Sequence, residues 1–60
     1  MKYQIGDIVK LYSGEKYSIG IILRTRMWDK EVDYKILICG RPGEDIWVLE
    51  RLILGKLDEI

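Results

Sequence analysis

Short apolar runs, separated by polar stretches that carry glycines, divide the chain. Gly6-Asp7-Ile8-Val9-Lys10-Leu11 is the first and Ser18-Ile19-Gly20-Ile21-Ile22-Leu23 the second; Val32 to Cys39 is the third and Ile46 to Leu49 the fourth. These lengths suit strands, and the apolar positions inside them recur with period two. Val9 and Leu11 alternate with Ile8, Lys10 and Tyr12, which points Val9 and Leu11 inward. A second strand runs from Ser18 to Thr25, with Ile19, Ile21 and Leu23 on one face and Gly20, Ile22 and Arg24 on the other. Both faces are largely apolar early in this strand, and Gly20 in its interior predicts a bulge or a sharp bend. Val32, Tyr34, Ile36 and Ile38 alternate with Asp33, Lys35, Leu37 and Cys39, a half-buried strand pattern.

The connections follow from the residues between the runs. Tyr12 to Tyr17 is a polar loop with a tyrosine at each end, and Arg26 to Glu31 a hairpin connection carrying Trp28. Gly40-Arg41-Pro42-Gly43 has turn composition, with Pro42-Gly43 a common central pair of type II turns. Leu49 to Leu52 fits one helical turn, and Ile53-Leu54 a short fifth strand ended by Gly55. A helix from Trp47 to Leu57 competes here, since Val48, Leu49, Leu52, Ile53 and Leu57 form a tolerable helical stripe. The β preference of Ile46, Trp47 and Val48 favours the strand, and so does the need of a four-stranded sheet for closure. The prediction is a single all-β domain over residues 1–60, a small, strongly bent barrel of about five short antiparallel strands.

The order Gly6-Asp7-x-Val9-x-Leu11, Ile19-Gly20-Ile21-Ile22, Tyr34-Lys35-Ile36-Leu37, Trp47-Val48 and Leu52 resembles small SH3-like barrels. It is most similar to short proteins encoded by tailed bacteriophages, including those of marine cyanobacteria. The likeness spans roughly Ile5 to Ile53. The chain departs from that pattern at Ile38, where an aromatic often stands, and in the long turn from Cys39 to Asp45. The resemblance implies a barrel module, located in a host cytoplasm or a virion, and marks a fold and not an activity. Related barrels of Tudor, KOW and Src-homology-3 type bind peptides, nucleic acid or protein subunits.

Composition narrows the function classes. Hydrophobic residues make up 48% of the 60 residues and charged residues 33%, which is globular composition. Cys39 is the only cysteine and histidine is absent, so the chain can form neither an internal disulfide nor a zinc site of the usual Cys/His type. Cys39, ending an apolar run, reads as a buried small hydrophobe. Without histidine the commonest general base is missing, and no Ser/His/Asp or Cys/His set can form. Asp29/Glu31/Asp33, Glu44/Asp45 and Asp58/Glu59 read as solvated carboxylates in turns or at the terminus. No glycine-rich phosphate loop is present. The expectation is no enzyme, no cofactor, no metal and no small-molecule substrate. No apolar run reaches the roughly 18 residues of a membrane span. Met1-Lys2 leads directly into a strand-like segment, so no signal peptide is read, and a cytoplasmic location is expected.

What remains is binding. Every aromatic is Tyr or Trp, each with a polar handle that favours the water boundary. Tyr12, Tyr17, Trp28 and Trp47 are the candidate face for a protein partner or a second copy, while Tyr34 and Trp47 read more readily as completing a small core. Ten basic and ten acidic residues cancel. Their distribution is uneven: six basic against three acidic residues give the first thirty positions +3, and the rest −3. That polarity suits head-to-tail self-association. It also keeps nucleic acid as the alternative partner, through Lys16, Arg24, Arg26 and Lys30 with Tyr17 and Trp28 beside them.

Overall fold

A computed structural model describes residues 2–14, 16–41 and 43–57. Five antiparallel strands form one sheet: β1 (Ile8–Ser13), β2 (Lys16–Trp28), β3 (Glu31–Ile38), β4 (Asp45–Leu49) and β5 (Ile53–Lys56). Their order is β4-β3-β2-β1-β5, so a meander of four strands is completed by a fifth that returns to β1. A single 3-10 turn, Glu50–Leu52, joins β4 to β5 where the competing reading had a long helix. The chain is all-β, as its periodicity predicts. The sheet is not closed, because β4 and β5 stay as its two edges.

Two connections are tighter than the composition suggests. β1 and β2 continue until Tyr12 lies opposite Tyr17 and Ser13 opposite Lys16, leaving Gly14 and Glu15 between them. Glu15 lies outside the described residues, as do Pro42 of the expected type II turn and the Asp58/Glu59 pair. β2 likewise runs through Trp28, so Arg26 and Trp28 are strand residues rather than loop residues. Only Asp29 and Lys30 separate β2 from β3, with Asp29 at φ 54°. A short polar side chain tolerates that left-handed region, which is why the turn can be so brief.

Gly20 is a point of close approach. An added Cβ there would lie 2.3 Å from Ile36 Cγ2 and 3.0 Å from the Leu37 carbonyl oxygen. The expected break in β2 falls instead three residues later, at Leu23. Ile22 pairs with Ile36 and Arg24 with Lys35, leaving Leu23 as an extra residue. Ile36 and Lys35 are neighbours on β3 and face opposite ways, so the bulge turns Arg24 away from the face that carries Ile22. This corrects the strict alternation, which puts Gly20, Ile22 and Arg24 together. A second irregularity, where Lys10 pairs with Gly55 and Leu11 with Ile53, leaves Leu54 unpaired in β5. Extended at about 3.3 Å per residue, β2 would measure roughly 40 Å. The longest dimension of the molecule is 31 Å, so the strand bends. The radius of gyration is 10.6 Å, close to the roughly 10 Å expected for a globular chain of this length.

The core lies on the inner face of the bent sheet. Val9 and Leu11 come from β1, Ile22 from β2, and Tyr34, Ile36 and Ile38 from β3; Val48, Ile53 and Tyr3 close it. Tyr34 is the largest fully buried side chain. Its hydroxyl donates to Glu50 Oε2 at 2.5 Å and accepts the Tyr3 N–H at 3.3 Å. Glu50 also accepts the Lys2 N–H at 3.3 Å, and the Tyr3 and Tyr34 rings meet edge to face at 5.5 Å. One buried phenol thus ties the N-terminal segment and the 3-10 turn to β3. Burial, reinforced by the Glu50 carboxylate, pushes the Tyr34 hydroxyl up to about 12, and the Tyr34 hydrogen bond holds Glu50 below its ordinary value. Cys39 is exposed, contrary to its reading as core, because β3 has ended at Ile38; its N–H still donates to the Ile19 carbonyl at 2.8 Å. No helix among the described residues is long and apolar enough to cross a membrane.

Candidate functional site

Cross-strand partners share a face, so the strand register lays out the outer surface of the sheet as rows. At one end Tyr12 lies beside Tyr17. The next row is Lys10 and Ile19, and the next Ile8, Ile21 and Leu37, with Asp45 at its end. Beyond the Leu23 bulge come Arg24, Lys35 and Trp47, then Arg26, Asp33 and Leu49, and last Trp28 with Glu31. The four aromatics expected to bind a partner therefore share one face. They form two pairs at its opposite ends, not a single patch.

Each pair is braced by a cation. The Tyr12 and Tyr17 rings meet edge to face at 5.4 Å, and Lys10 Nζ stands 4.9 Å from the centre of the Tyr17 ring. At the other end the Arg26 guanidinium lies 4.1 Å from the Trp47 ring centre and 5.9 Å from that of Trp28. Trp28 is 55% exposed and Trp47 41%. Asp33 organises this end: its Oδ2 accepts Arg26 Nη2 at 2.7 Å and Trp28 Nε1 at 3.1 Å. Those two hydrogen bonds, Arg26 first, hold the carboxyl below its usual value. Its Oδ1 is buried with no hydrogen-bond partner among the described residues. Trp47 joins the surface cluster rather than the core, since its register partner Lys35 points outward; Tyr34 is core.

Between the two braced ends lies bare aliphatic surface. Ile8 is 46% exposed and Ile19 39%, with Ile21 and Leu37 half-buried beside them. Sequence reasoning missed this strip. Its signal is the double-sided apolarity of Ile19 to Leu23, which reads as a strand crossing between two barrel halves but places Ile19 and Ile21 outward.

The basic set Lys16, Arg24, Arg26 and Lys30 is spread out. Lys16 sits at the β1–β2 hairpin and Lys30 in the β2–β3 turn, at opposite ends of β2. Arg26 is neutralised by Asp33. Arg24 has no carboxylate within ion-pair distance among the described residues. Among those residues, too, no three acidic or cysteine side chains converge as metal ligands. No protein-family model, curated protein or solved structure matches the chain.

Proposed function

We propose that the chain is a non-enzymatic interaction module, a small SH3-like barrel in type, that docks a protein segment on the outer face of β1, β2 and β3. The strand order and the 3-10 turn before β5 support the SH3-like assignment. The observation that carries the docking reading is the exposed strip of Ile8, Ile19, Ile21 and Leu37 between two aromatic ends. The buried core lies on the other face of the sheet, so this strip stands outside it. Contiguous apolar surface of this kind marks interaction sites. Nucleic acid is the weaker reading, because Lys16 and Lys30 stand at opposite ends of β2 and Arg26 is already paired with Asp33.

The test is selection of a displayed library of random decapeptides against the whole chain, repeated with Ile19→Lys. Ile19 is already partly in water, so the variant should fold with little change in stability. Protein docking predicts enriched sequences that lose binding to Ile19→Lys. A concentration-dependent mass in light scattering, lost in the same variant, identifies the partner as a second copy. An empty selection, or binders indifferent to Ile19→Lys, contradicts the reading. So does steeply salt-dependent retention on single-stranded DNA that exceeds binding to any selected peptide.

A further inference from the structure

The row Arg24–Lys35–Trp47 sets two cations directly opposite each other on neighbouring strands. Like charges in that position destabilise a sheet. The arrangement is poorly relieved from within: Lys35 Nζ reaches Asp45 at a loose 4.0 Å, and no carboxylate of a described residue pairs with Arg24. The adjoining row, Arg26–Asp33, shows what a satisfied arrangement looks like, with a 2.7 Å ion pair under two indole rings. Arg24 and Lys35 border the aliphatic row of Ile8, Ile21 and Leu37 and lie one rung from it.

We propose that the outer face receives an acidic, extended protein segment, whose branched apolar side chains cover the Ile19 and Ile21 rows and whose carboxylate meets Arg24 and Lys35. The proposal rests on the reading of this face as a protein-docking surface and adds the chemistry of the partner. The spacing fits. Successive rows along a strand are about 7 Å apart, the same distance that separates side chains two apart in an extended segment. On β3 the rows are two residues apart, Leu37 then Lys35, and the Leu23 bulge takes up the extra residue between Ile21 and Arg24 on β2, so an extended segment lying over the β2–β3 seam presents one side chain to each row: apolar, apolar, acidic. The carboxylate supplies the charge that the Arg24–Lys35 pair lacks, and Trp47 flanks the contact on the β4 side. A nucleic acid would bring phosphate to the same cations but nothing to cover the aliphatic rows.

The probe is a fluorescein-labelled, amidated hexapeptide, Ser-Ile-Ser-Ile-Ser-Glu, compared by anisotropy with the same peptide ending in Gln and with a labelled thymidine octamer. The whole chain is used throughout. The glutamate peptide is expected to bind about five- to tenfold more tightly than the glutamine peptide, the range of two partly exposed ion pairs. In the double variant Arg24→Gln with Lys35→Gln the two peptides become equal, and thermal stability is unchanged or higher because the repulsion is gone. Equal binding of both peptides to the parent chain overturns the acidic-partner proposal and leaves protein docking standing. Binding of neither peptide also overturns it, and the library selection then decides separately whether docking fails too. Tighter binding of the thymidine octamer overturns it in favour of nucleic acid. A double variant that melts well below the parent overturns it as well, since the two cations would then be structural.

Discussion

Substituting Gly20→Ala tests the packing that brings the outer rows into register. The new Cβ lies 2.3 Å from Ile36 Cγ2 and 3.0 Å from the Leu37 carbonyl oxygen. Carbon atoms settle at about 3.5–4.0 Å, so the contact with Ile36 is short by more than roughly 1 Å. Ile36 cannot swing aside cheaply: Cγ2 is fixed to a branched Cβ with a stiff χ1, and the side chain is fully buried. The Leu37 oxygen is backbone. Overpacking of this kind costs about 1–3 kcal/mol, set against a relief of about 0.5–1 kcal/mol from removing glycine's chain freedom. The net expectation is a loss of about 1–2 kcal/mol, and a melting point lower by about 4–8 °C for each kcal/mol. A chain of this size has only about 3–5 kcal/mol in total, so the effect is large. The assay is urea unfolding followed by tryptophan fluorescence and circular dichroism. A double-mutant cycle with Ile36→Ala, run with sulfate present to keep every member folded, identifies the cause. Ile36→Ala removes the clashing methyl, so the double variant should be clearly less destabilised than the sum of the single ones. Strict additivity, or a Gly20→Ala chain as stable as the parent, refutes the reasoning.

Three further outcomes follow from the same geometry. Tyr34→Phe removes the hydroxyl between Glu50 and the Tyr3 N–H and should cost about 1–2 kcal/mol in urea unfolding, because the charged partner is partly solvated. Tyr34 is raised in the folded chain to about 12, so its contribution is present below its ordinary value near 10 and is lost between the two as pH rises. The parent should therefore weaken above about pH 10 more than Tyr34→Phe does, and parallel melting curves up to pH 12 would contradict this. Asp33 and Glu50 are both lowered, so each stabilises above its ordinary value and loses that contribution as pH falls through the folded one. Asp33→Asn should accordingly melt lower at neutral pH, lose less on acidification than the parent, and release Trp28 as a change in tryptophan emission. Leu11→Ala empties a fully buried site at a cost of about 2–5 kcal/mol, enough to leave much of the chain unfolded by circular dichroism at room temperature.

How much of this was legible in the sequence differs from element to element. Val9, Leu11, Tyr34, Ile36 and Ile38 follow from period-two alternation, because a strand with one buried face must repeat every second residue. The single turn at Glu50–Leu52 and the fifth strand after it were also legible, from the break in pattern between Leu49 and Ile53. The bulge at Leu23 was not. A bulge inserts one residue without changing composition, and the apolar residues on both sides of it hide the change of phase. Gly20 drew the expected irregularity to itself, whereas its role is to let β3 approach. The four aromatics expected to bind a partner were picked by residue type, but their division into two pairs depends on how far β1 and β2 extend. The short reach of the β1–β2 connection and the two-residue turn at Asp29–Lys30 were hidden by the polar residues flanking them. The Arg24–Lys35 row is invisible in sequence, since eleven positions and a bulge separate its members.

The most direct test of the account is to methyl-label isoleucine and leucine in the whole chain and titrate it with a peptide selected on the parent. Docking on the outer face predicts that the methyl signals of Ile8, Ile19, Ile21 and Leu37 shift together while those of Leu11, Ile22 and Ile36 on the inner face stay still. Shifts confined to Ile5, Leu52 and Leu54, with the outer strip silent, would contradict it.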